Sequence, residues 1–65
     1  MTDEQKAQIA GEIENEGFEY WMQNFAQNSL IENNAPKYLL GLVKNAVYHL
    51  ELAEEAFIRE GLMVE

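Results

Sequence analysis

Leu39, Val43, Ala46, Leu50, Ala53 and Phe57 recur at steps of four, three, four, three and four residues. That is the spacing of a helix seam that faces another helix along its whole length. Pro36 stands where such a helix begins, because its ring holds φ at a first-turn value and its missing N–H is not needed there. Gly61 stands just past the last seam residue, where a left-handed position ends a helix and lets Leu62 fold back onto Phe57. The pattern predicts one helix over about residues 36–60, a rod of roughly 40 Å at 1.5 Å per residue.

The first half of the chain reads as a second rod, over about residues 3–28. Thr2 with Gln5 has the form of a capping box, and Asp3 and Glu4 suit the positive end of a helix dipole. Ile9, Ala10, Ile13, Gly17, Phe18, Tyr20, Trp21, Met22, Phe25 and Ala26 cover far more of a helical wheel than the usual stripe of about 100°. The uncovered sector holds Glu12, Glu16, Glu19 and Gln23. A helix so broadly apolar needs more than one neighbour. Gly11 and Gly17 each weaken a continuous helix by up to about 1 kcal/mol relative to alanine. Gly17 suits either a close approach of the second rod or a kink, and close approach is the preferred reading.

Residues 29–35 read as the turn between the rods. Asn33 and Asn34 tolerate left-handed geometry, and Ser29 with Glu32 repeats the capping-box pattern, so a short extra helical turn near 29–33 is accommodated. Leu30 and Ile31 would then close the end of the core. A connection this short makes the rods antiparallel neighbours. The expected fold is all-α: a single domain over residues 1–65, built as an antiparallel helical hairpin.

Length then argues for self-association. Ordering 65 residues costs on the order of 100 kcal/mol, at about 1.5 kcal/mol per residue, and chains this short usually add disulfides, a metal or a partner subunit. There is no cysteine. The sequence therefore predicts a homodimeric four-helix bundle or a higher helical oligomer, with Leu39, Val43, Leu50 and Phe57 at the oligomer seam. The polar, acidic N-terminus is unlike a signal peptide, and no apolar run is long enough to cross a bilayer, so a cytoplasmic protein without membrane contact is expected.

Twelve acidic residues against four basic ones leave a net charge of −8. Direct nucleic-acid binding needs a basic footprint, so it is disfavoured, whereas a protein partner with a basic surface is suited. The acidity is uneven: residues 1–34 hold seven acids and one base, residues 35–65 five acids and three bases. Glu12, Glu16 and Glu19 form a candidate partner-binding ridge. Set against duplex DNA, with a charge about every 1.7 Å of axis, one ridge is too sparse, and the two ridges of a dimer come closer. The bland reading of the same residues is a solvated face that keeps an apolar oligomer dissolved.

Tyr20, Trp21 and Phe25 are candidate interface or ligand aromatics, since rings with polar tips anchor protein contacts. Rings at helical spacing are more often simply core. His49 has no Glu-x-x-His companion and borders the seam, so no metal site and no cofactor are predicted. With no cysteine, no phosphate-cradling glycine loop, no nucleophile elbow, and Thr2 and Ser29 at cap positions, no enzyme is predicted either. The expected function is a small acidic regulator or inhibitor, of the kind phages and mobile elements supply, docking on a basic surface of a host protein, with a nucleic-acid-binding surface as one candidate. The alternatives are an oligomeric sponge for a nucleotide-like ligand and a purely structural assembly subunit.

Overall fold

Helix ends, rather than long rods, organise the chain. The computed structural model describes residues 1–64, and of residues 46–49 only the helical backbone. The described chain is all-helical: α1 (Asp3–Glu16), α2 (Phe18–Asn24), α3 (Ala26–Glu32), α4 (Lys37–Lys44) and α5 (Ala46–Arg59). Ala46, which the sequence places on the seam, and His49, which borders it, lie with Val47 and Tyr48 outside the described side chains.

The predicted start of α1 is present. Gln5 donates its backbone N–H to Thr2 Oγ1 at 3.1 Å, and Thr2 donates its own to Gln5 Oε1 at 2.8 Å. The continuous rod over 3–28 is not. Gly17 has φ 86° and ψ 140°, a region open to glycine and costly for any residue with a Cβ. The close approach expected at Gly17 is corrected as well, since a Cβ there would meet nothing within 4 Å. Glycine is required here by its backbone angles, and the helix breaks.

The later breaks share a different device. Asn24, Asn33 and Asn45 each donate a side-chain amide N–H to the carbonyl four residues back, at Tyr20 (3.0 Å), Ser29 (2.9 Å) and Gly41 (3.1 Å). Asparagine offers the backbone an alternative partner in this way and so favours helix ends. Phe25, directly after Asn24, leaves helical geometry at φ −124°, and Asn45 does so at φ −107°. The rod expected over 36–60 is thereby divided into α4 and α5, and the described chain measures 30 × 22 × 21 Å. The turn is also shorter than expected. Residues 29–32 complete α3, and Ser29 is buried inside it rather than capping a new turn.

Two helices end in the same left-handed motif. Gly61, at φ 78°, follows α5, with Gly61 N–H on the Ile58 carbonyl and Leu62 N–H on the Phe57 carbonyl. Asn34, at φ 56°, follows α3, with Asn34 N–H on Ile31 and Ala35 N–H on Leu30. Both are the paired bonds that satisfy the last free carbonyls of a helix. Pro36 stands one residue before α4 and passes its carbonyl to Leu39 N–H at 3.1 Å.

The core gathers Ile9, Ile13, Trp21, Met22, Ala26, Leu30, Leu39, Ala53, Ala56, Phe57 and Leu62. At its centre the Trp21 and Phe57 rings meet edge to face at 5.6 Å between centroids, and Phe18 joins Phe57 in the same way at 5.3 Å. Such geometry suits the ring quadrupoles. Leu30 closes the core as expected, whereas Ile31 points outward. The breaks fold the wide apolar arcs onto one another. Seam residues Leu39 and Phe57 are fully buried within the single chain, while Val43 and Leu50 are half-buried.

Candidate functional site

The acidic ridge divides at Gly17. Glu12 and Glu16, one turn apart on α1, border a cleft of about 310 Å³ with Asn15, and α3 supplies the opposite wall with Asn28, Ser29 and Glu32. Phe25 stands at its margin. Each wall is a single helix face, because residues three and four apart are neighbours on the surface. Glu19 is exposed on α2 and lines a separate groove. The structure thus brings Glu12 and Glu16 together with Glu32, and leaves Glu19 apart.

Glu12 is tied inward. Trp21 donates its indole Nε1–H to Glu12 Oε1 at 3.0 Å, and Gln8 donates its amide N–H to Oε2 at 2.8 Å. Burial pushes the Glu12 carboxyl up, but the hydrogen bonds it accepts, first from Trp21 and then from Gln8, outweigh this and hold it below the ordinary carboxylate value. Hydrogen bonds to the charged form favour that form. Glu16 is exposed and accepts from Asn15 Nδ2 at 3.2 Å.

The aromatic candidates separate too. Trp21 is fully buried, with its polar tip on Glu12, and belongs to the core of its own chain. Tyr20 and Phe25 are 55% and 42% exposed, with ring centroids 6.0 Å apart, and form an apolar surface beside the acidic cleft.

A second groove, of about 550 Å³, has Met22, Ala26, Val43 and Leu50 in its walls and Glu19, Gln23, Gln27 and Lys44 among its polar residues. The half-buried part of the predicted seam therefore faces open space. The Tyr38 hydroxyl donates to Glu60 Oε2 and links α4 to the end of α5.

Sequence reasoning missed Glu32 as a member of the acidic site. Phe25, Asn28, Ser29 and Glu32 fall at steps of three, one and three, a helical face that the turn-forming residues of 29–35 conceal. Among the described residues no group of three or more His, Asp or Glu converges to hold a metal ion, and no described helix is long and apolar enough to cross a membrane. Comparison with protein-family models, curated proteins and solved structures finds no match to this chain.

Proposed function

We propose that this chain is a small non-enzymatic regulator or inhibitor that binds a protein partner by receiving its lysine or arginine side chains in the acidic cleft. The observation that carries this reading is the pairing of three carboxylates, Glu12, Glu16 and Glu32, with the exposed ring of Phe25 around one cleft. Carboxylates accept charge-assisted hydrogen bonds from guanidinium and ammonium groups, and an aromatic face attracts the same cations. Among the described residues no basic side chain lines the cleft to compete for these acceptors. The net charge of −8 adds long-range attraction toward a basic surface.

An amide titration with a short arginine-rich peptide tests the reading. Shifts are expected to concentrate at Glu12, Glu16, Phe25, Asn28 and Glu32, and to collapse in Glu16→Gln/Glu32→Gln. Glu12 is left unchanged in that variant because it serves the core. Shifts spread evenly over all acidic residues, or none at low salt, would remove the reading.

Self-association into a helical-bundle dimer is the second reading, supported by the half-buried Val43 and Leu50 in the open groove. Sedimentation at micromolar concentration decides it. A single folded chain sinks it, and a Leu50→Asp variant that dissociates while staying helical supports it.

A further inference from the structure

Gly17 joins α1 to α2 through its backbone alone: φ is 86°, and open space surrounds the place of a Cβ. A side-chain hydrogen bond crosses it, from the Trp21 indole on α2 to the Glu12 carboxylate on α1. Its two ends differ in surroundings. The indole is fully buried, with Phe57 edge-on against it, while the carboxylate is half-buried and borders the cleft. The helices pack chiefly on their neighbours in sequence, so α1 rests mainly on α2. Its apolar hold on the body comes from Ile9 and Ile13.

We infer that α1 is a hinged arm and that the Glu12–Trp21 hydrogen bond is its acid-released latch: a proton on Glu12 removes the charged acceptor and lets α1 swing out about Gly17, uncovering Ile9, Ile13 and Trp21 while the rest of the chain stays helical. A hydrogen bond to an ionised acceptor is roughly twice as strong as a neutral one, so protonation weakens the latch by about half. The groups facing Glu12 are Gln8, Asn15 and Glu16 on α1, Trp21 on α2, and Asn28, Ser29 and Glu32 on α3. Glu16 and Glu32 are the titratable ones, and like charge on a neighbouring turn or across a cleft opposes ionisation in general. A carboxyl held below its ordinary value in the folded state contributes stability above the unfolded pKa and loses it as pH falls through the folded one. The latch is therefore closed at neutral pH and opens in acid. It does not depend on what occupies the cleft.

Trp21 is the single tryptophan of the chain, so its emission and its access to acrylamide read the arm directly. On acidification of the full chain, a red shift and increased quenching are expected at a pH where far-UV circular dichroism still reports the helices. Glu12→Gln, whose side chain takes up no proton in this range, is expected to lose this transition. Glu16→Gln and Glu32→Gln are expected to keep it and move it to lower pH. A wild-type transition in Glu12→Gln overturns the inference, as does a single midpoint shared by emission and helicity, which is acid unfolding of the whole chain. If Glu12→Gln fails to fold, an unmoved or raised midpoint in the Glu16 and Glu32 variants overturns it instead.

Discussion

Leu62 donates its backbone N–H to the Phe57 carbonyl at 2.8 Å, and both side chains are fully buried. The chain thus reverses at Gly61 and presses its last core residue back beneath the aromatic centre. Gly61→Ala is expected to cost about 1 kcal/mol, because the position keeps φ at 78° and a Cβ is strained there. Leu62→Ala is expected to cost more, about 2–5 kcal/mol, since it empties buried volume. Urea unfolding followed by circular dichroism measures both, and equal costs would separate the turn from the packing it serves.

Gly11 and Gly17 are six residues apart and should respond in opposite senses. Gly11 lies within α1 facing solvent, and a Cβ there meets nothing within 4 Å. Gly11→Ala should stabilise the chain by up to about 1 kcal/mol through helix propensity. Gly17→Ala forces alanine into a region reserved for glycine and should destabilise it by about 1–3 kcal/mol. Thermal melts of the two variants check the signs.

Asn34 occupies a left-handed position at φ 56°, which asparagine tolerates and glycine adopts freely. Asn34→Gly is expected to be neutral to slightly stabilising, and Asn34→Val destabilising by about 1–2 kcal/mol. Matching melts for the two would mean that this turn is not held in the left-handed conformation in solution.

The Tyr38 hydroxyl has its ionisation pushed above the ordinary tyrosine value, first by its hydrogen bond to Glu60 and then by burial. An acid whose folded pKa is raised adds stability below its unfolded pKa and loses it as pH rises through the folded one. Tyr38→Phe should therefore cost a few tenths of a kcal/mol at neutral pH, the low end for a hydrogen bond at so exposed a site. Wild type and variant should converge in strong alkali, and tyrosinate absorbance should lose its late-rising step in the variant.

Capping was legible from the sequence because it is decided within a few residues. Thr2 with Gln5, Gly61 with Leu62, and the Asn33–Asn34 pair each carry their own local instruction. The interior breaks were hidden because apolar spacing is the same whether a rod runs straight or folds at Asn45. Only the amide of Asn24 or Asn45 reaching a carbonyl four residues back separates the two cases. The wheel that placed Trp21 at an interface could not distinguish a partner's surface from the chain's own aromatic centre. Of the acidic site, Glu12 and Glu16 were visible as a ridge. Glu32 emerged only once α3 was seen to extend through it.

Sequential packing of α1 on α2, α2 on α3, α3 on α4 and α4 on α5 has a kinetic consequence. Few chain closures must wait for distant segments to meet, and helical topologies of low contact order fold in about microseconds to milliseconds. A stopped-flow chevron for this chain should accordingly place most of its refolding amplitude within the instrument dead time. The polypeptide would then reach its native state without a long-lived sticky intermediate.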